Sequence, residues 1–379
     1  MKIEQVRWAP AKGWEPTGPG SLGSAVQLVL VFGSSAILKN RTLFDEIRRG
    51  YPHAHLLGCS TAGEICGTHV FDDSLVLTAV HFEHTWLKGA RISIEHEESS
   101  FSAGKHLAES LDHRGLAHVL VLSEGLKING SELVKGLTQH LPEHVTVTGG
   151  LSGDGASFRE TFVVWDDLPR PHIIAVLGLY GDRLKVGYGS LGGWDPFGPE
   201  RLITRSKGNV LYEVDGKSAL GLYKTYLGEH ADGLPATGLL FPLSLRIGGG
   251  ETGVVRTILS VDESNQSMTF AGDVPEGAYV RLMKANFDRL IDGAIGAART
   301  SAQSLGTMSP ELAVLISCVG RKLVLKQRIE EEVEGVRDVL GRHTVLTGFY
   351  SYGEISPFNP SARCELHNQT MTITALAEQ

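Results

Sequence analysis

The chain has 379 residues, 42% of them hydrophobic and 21% charged, with a net charge of −8. That is the composition of a soluble globular protein, and the length exceeds what one ordinary core fills, so two domains are expected. There is no long Lys/Arg block and no apolar run near the ~20 residues of a membrane helix, which argues against nucleic acid and membrane as partners. Four cysteines without CxxC spacing, and an N-terminus lacking a signal-peptide core, imply free thiols and a cytoplasmic location.

Residues 1–24, rich in proline and glycine with two tryptophans, read as a lead-in segment. One pattern then recurs three times: apolar run, short loop, amphipathic helix, apolar run, glycine-rich turn ending in an acid, apolar run. Copy one begins at VQLVLVFGSSA and closes its turn with Gly63-Glu64. Copy two begins at HVLVLSEGLKING and closes with Gly153-Asp154. Copy three begins at LAVLISCVGRK and closes with Gly353-Glu354. The breaker-rich stretch Gly192 to Pro199 marks the expected domain boundary, giving units 25–195 and 196–379. Residues 200–300 read as an insertion of strands followed by a long helical stretch over 278–306, with Leu282, Met283, Phe287, Leu290 and Ile291 at helical spacing. The helix of copy three, from about Val324 to Leu340, carries Leu325, Ile329, Val333, Val336 and Leu340 on one stripe. Glu330, Glu331, Glu332 and Glu334 fall largely on other faces, as in a solvated helix surface. The fold class is therefore α/β: two domains of repeated strand-helix-strand units with glycine-rich turns at strand ends. Ligands of open α/β sheets bind at such ends.

Several loop residues could carry chemistry. Arg321 and Lys322 follow a strand and open a helix, as either an anion clamp or two solvated cations. Cys318 and Cys59 are each a soft ligand, a nucleophile or a small buried residue. Tyr350 and Tyr352 share a face of an extended segment and line a pocket or cap a sheet. Ser60 and Thr61 lie in the first turn. Glu64, Asp154 and Glu354 occupy matching turn positions, for loop hydrogen bonds or for ligand contact. His367 and His343 are the histidines placed as candidate metal or haem ligands. P-loop, HExxH, GxSxG and CxxCH motifs are absent from the sequence. The run Gly248-Gly249-Gly250-Glu251-Thr252-Gly253 does not open a helix and fails as a dinucleotide fingerprint.

At these loops the chain resembles the FIST family. The resemblance rests on GCSTAGEI at 58–65, GGLSGDGASF at 149–158, LYEVDGKSAL at 211–220, SCVGRKLVLKQR at 317–328, GFYSYGEISPF at 348–358 and CELHNQTMTIT at 364–374. It implies a FIST N-terminal and a FIST C-terminal domain, and an intracellular sensory protein rather than an enzyme. The last motifs are similar to the NosP-type subgroup, which implies haem b, nitric oxide sensing and a partner histidine kinase. His367, His343, Cys318 or Tyr350 would then supply the axial ligand, and Arg321 with Lys322 would meet the propionates. Two alternatives stand beside it: a haem-free sensor of an amino acid or other small metabolite, and a cysteine-dependent enzyme. A homo-oligomer is also compatible.

Overall fold

The computed structural model describes residues 1–246, 253–358 and 362–379. The glycine run expected not to bind a dinucleotide lies outside the described residues, apart from Gly253. The architecture is α/β, and each of the three sequence copies builds a sheet of its own. The first contains Leu28–Gly33, His55–Ser60 and Leu75–His81; the second Leu116–Ser123, Thr146–Leu151 and Ile173–Tyr180; the third Leu312–Cys318, Val345–Ser351 and Met371–Glu378. In each the first two strands run parallel, joined by a crossover that contains a helix, and the third runs antiparallel. The fit between the parallel strands is tight. A Cβ added at Gly58, Gly149 or Gly348 would lie 1.9, 1.8 or 1.8 Å from a carbonyl oxygen of the neighbouring strand, so all three positions require glycine.

One face of each sheet points to a shared centre. Leu30, Phe32 and Cys59 of the first, Leu120, Leu122 and Leu177 of the second, and Val314, Ile316 and Phe349 of the third form one apolar cluster. The opposite faces are covered by helices. Arg41–Gly50 buries Leu43, Phe44 and Ile47 over the first sheet. Ser100–Ser110 and Gly130–His140 pack with the second sheet, and Phe287–Ser304 and Ile329–Leu340 with the third. Copy three thus packs with copies one and two.

The strand that follows each glycine-rich turn leaves its own sheet. Glu64–Cys66 of copy one pairs with copy three, with Glu64 opposite Phe349. Gly353–Pro357 of copy three pairs with copy two, with Glu354 opposite Gly150. Val163–Trp165 of copy two pairs with copy one, with Val163 opposite Cys59. The exchange runs in a closed circle, and no copy can bury its edges alone.

Between Asp195 and Lys284 the described residues form a separate eight-stranded sheet with its own core of Ile203, Leu211, Tyr223, Met268 and Phe270. Three sequence expectations are corrected. Residues 278–306 are not one helix: Tyr279–Lys284 is a strand, and Phe287–Ser304 is a helix capped by the Asn286 side chain. The copy-three helix is two, Val319–Leu325 and Ile329–Leu340, broken where Lys326 takes φ 50°. The lead-in is structured: Lys2–Ala9 joins the first sheet between Leu75–His81 and the edge strand Gly13–Glu15. Among the described residues no helix is long and apolar enough to cross a membrane.

Candidate functional site

The circle of exchanged strands brings the three glycine-rich turns together. Gly153 N donates to the Ser60 carbonyl (2.9 Å), Ala62 N to that of Tyr350 (2.8 Å), and Tyr352 N to that of Leu151 (3.2 Å). The turns do not enclose an open space; they fill one another. Ser60, Thr61, Glu64, Tyr350, Tyr352 and Glu354 are all buried. Glu64 accepts from Thr61 Oγ1 (2.5 Å) and from Ser74 Oγ (2.7 Å). Glu354 repeats the arrangement with Ser351 Oγ (2.5 Å) and Thr370 Oγ1 (3.0 Å). Burial outweighs these bonds and pushes the carboxyl of Glu64 up to about 7 and that of Glu354 up to about 8.

The expected match of Asp154 with these two acids does not hold in space. The strand register makes Val163 the counterpart of Glu64 and Glu354. Three equivalent backbone bonds, Ser34 N to Ser74 O, Cys318 N to Thr370 O and Glu124 N to Ile173 O, make Ile173 the counterpart of the hydroxyl residues. Two joints are thus an acid against a hydroxyl, and the third is apolar, with Val163 and Ile173 in the central cluster. Asp154 instead accepts from the backbone of Phe158, Arg159 and Glu160 and from the Tyr352 hydroxyl. Its turn in copy two is longer, which hides the mismatch in sequence.

Arg321 is not a clamp aimed at a ligand. It is fully buried and paired with Glu332 (Nη2 to Oε2, 2.7 Å), which is also fully buried. Its other bonds reach the carbonyls of Gly192 (2.9 Å) and Leu290 (2.6 Å). Those two residues flank the chain's passage into and out of the inserted sheet. The Tyr350 hydroxyl (2.7 Å) and Ser317 Oγ (3.1 Å) donate to the remaining oxygen of Glu332. Glu332 therefore departs from the solvated surface expected of its neighbours; it lies three residues after Ile329 and four before Val336, on the flank of the apolar stripe. Lys322 donates to the Ala62 carbonyl (2.8 Å) and pairs with Asp72.

The residues named for haem are not brought together around one hollow among the described residues. His367 is buried, its Nε2 bonds to the Ser356 carbonyl (2.8 Å), and burial lowers it to about 4. His343 is exposed before the start of strand Val345–Ser351, while Tyr350 and Tyr352 lie at its other end, so they cannot share a pocket. The Tyr350 hydroxyl is spent on Glu332, and that of Tyr352 on Asp154 and Gly155. Arg321 has no terminal nitrogen left for a propionate. Cys318 and Cys59 are buried, and burial pushes both thiols up, away from the reactive thiolate. Among the described residues no three His, Cys, Asp or Glu side chains cluster as metal ligands.

Among the described residues, hollows lie away from the turns, and two of them stand out. The larger, of ≈ 620 Å³, is a cleft between the N-terminal segment and helix Arg41–Gly50, lined by Trp14, Pro19, Glu46, Arg49 and Pro52. Its wall is fixed in place. The Glu4 carboxylate accepts the backbone N–H of Ser21 (3.1 Å) and Leu22 (3.0 Å), and Gly20 N bonds the Tyr51 hydroxyl (2.9 Å). Gly20 takes φ +121°, and a Cβ there would lie 3.1 Å from Gly50 Cα, so this contact needs glycine. Trp14 Nε1 donates to Glu46 Oε2 (2.6 Å), which orients the indole. Arg49 Nε caps the Asp45 carbonyl (3.2 Å). Its terminal nitrogens, and Glu46 Oε1, make no hydrogen bond among the described residues. The sequence signal was Trp14 inside a Gly/Pro-rich lead-in, which read as linker. The smaller hollow, of ≈ 50 Å³, lies in the inserted region against helix Ala219–Leu227 and is almost wholly apolar.

The FIST N domain matches residues 27–217 and the FIST C domain residues 219–357. The chain belongs to the FIST family, whose domains are sensor domains of signal transduction that bind small ligands. An uncharacterized protein of Methanocaldococcus jannaschii is 23% identical over 374 residues, covering 88% of this chain and 67% of that protein. Among solved structures, a chorismatase covers 99% of this chain and 98% of its own at 10% identity and a TM-score of 0.34. A cyanuric acid hydrolase from A. caulinodans covers 78% of this chain and 99% of its own at 12% identity and a TM-score of 0.18. At such scores neither likeness bears on activity.

Proposed function

We propose that this protein is a haem-free sensor of a small metabolite, an amino acid in the first instance, and that it reports to a signalling partner such as a histidine kinase. The observation that carries the reading is the cleft beside Trp14. Its volume falls within the ~300–1,000 Å³ of small-molecule sites. It offers one unspent acceptor, Glu46 Oε1, and one guanidinium with unspent donors, Arg49, beside an oriented indole. An ammonium group meets the first, a carboxylate the second, and an apolar or aromatic side chain the third. The haem reading lacks this support, because His367, Tyr350, Arg321 and Lys322 are engaged within the chain and His343 lies at the far end of its strand from the tyrosines. Thermal unfolding in the presence of the common amino acids tests the proposal, since a ligand bound to the native state raises stability. At least one is expected to raise the unfolding temperature of the wild type and not of Arg49→Ala. A stoichiometric Soret band that moves with nitric oxide would overturn it.

A further inference from the structure

We infer that the cleft beside Trp14 takes a free aromatic amino acid, its ring against the indole and its ammonium and carboxylate on Glu46 and Arg49; this rests on that cleft being the ligand site. The two charged residues are three apart on helix Arg41–Gly50, so their side chains leave one face as neighbours. Opposite charges at that spacing commonly pair, but among the described residues these two make no ion pair with each other. Each is turned away at one end. Glu46 Oε2 accepts the indole N–H of Trp14 (2.6 Å), and Arg49 Nε donates to the Asp45 carbonyl (3.2 Å). An acceptor and a donor fork are thus left on one helix face. A ligand with a single charge meets only half of this pair. An amino acid with both termini free carries both charges on one carbon and meets the whole.

The rest of the lining selects a ring. Beyond the two charges the wall is Trp14, Pro19, Pro52, Ser24 and glycines, with no branched aliphatic side chain among the described residues. Trp14 packs against the core of the first sheet, and its bond to Glu46 fixes the indole. Trp86 and Trp165 are stacked on Tyr180 and His55, whereas Trp14 has no aromatic partner among the described residues. An aromatic side chain adds offset-stacked or edge-to-face contact with that indole to the area it buries. An aliphatic side chain gains the area alone.

Calorimetric titration of the full chain with the common amino acids, 3-phenylpropionate and phenethylamine tests this. Phenylalanine is expected to bind roughly three- to tenfold more tightly than leucine. It is expected to bind at least about tenfold more tightly than either analogue lacking one charge. Glu46→Gln keeps an acceptor for Trp14 Nε1 and should lose the preference over 3-phenylpropionate. Arg49→Ala should lose the preference over phenethylamine. Unliganded unfolding temperatures show that both variants fold. If leucine or a singly charged analogue binds as tightly as phenylalanine, or both variants keep both preferences, the inference is overturned. If another amino acid binds and phenylalanine does not, the inference falls and the metabolite sensor stands. If no amino acid binds, both fall together.

Discussion

The turn cluster and the N-terminal cleft are opposite in kind. In the cluster the buried charges and hydroxyls of the turns are matched inside the chain: Arg321 by Glu332, Glu64 by Thr61 and Ser74, Glu354 by Ser351 and Thr370. In the cleft, Arg49 and one oxygen of Glu46 are left unspent. Strand ends in an α/β sheet are where ligands are sought first, but position alone does not make a site. Where three copies interlock, their strand ends are consumed in holding the copies together. The unspent polar groups lie instead where helix Arg41–Gly50 meets the N-terminal segment.

The comparison breaks most visibly at Arg321. Arg321→Ala leaves Glu332 as an uncompensated buried charge, which costs ~3–5 kcal/mol. Chemical denaturation should register that loss, and an unchanged midpoint would mean the pair is not buried. The next effect is a pH dependence. Glu64 and Glu354 have native values raised to about 7 and about 8 from an ordinary 4.5. The native state therefore binds protons more tightly than the unfolded chain. Their contribution to stability is full below about pH 4.5 and is lost as pH rises through 7 and 8, a change on the order of a few kcal/mol. Glu354→Gln should flatten that slope in denaturation measured from pH 5 to 9. If the slope of the variant matches the wild type, Glu354 is not the group that titrates.

The three joints sharpen the same point. Glu354→Val alone strands the donors of Ser351 and Thr370, at ~1–3 kcal/mol. Adding Thr370→Ile copies the Val163–Ile173 joint and should recover much of that loss, as a double-mutant cycle would show. The smallest stability effect belongs to the cleft. Arg49→Ala should change unliganded stability by less than ~0.5 kcal/mol while abolishing the response to ligand.

Much of this was legible in the sequence. The three copies, their helices and their turns follow from period and glycine placement. The circle of exchanged strands was not, because pairing between Glu64 and Phe349 is a long-range register that local patterning does not encode. Arg321 was singled out, but its partner Glu332 was hidden in a run of glutamates whose other members face solvent or its edge. Asp154 was matched by its place after a glycine, while the longer copy-two turn gives the equivalent position to Val163. The cleft is not legible because Trp14 and Arg49 are far apart in sequence and are brought near one another by long-range contacts, the Trp14–Glu46 bond and the Gly20–Gly50 approach.

The most direct test of the account is thermal unfolding of the wild type and Arg49→Ala, each titrated with the common amino acids. The account predicts a concentration-dependent rise in the wild type that is absent from the variant, with both unfolding at the same temperature when unliganded. A rise of equal size in both proteins would place the ligand elsewhere, and no rise with any of them would contradict the metabolite-sensor reading itself.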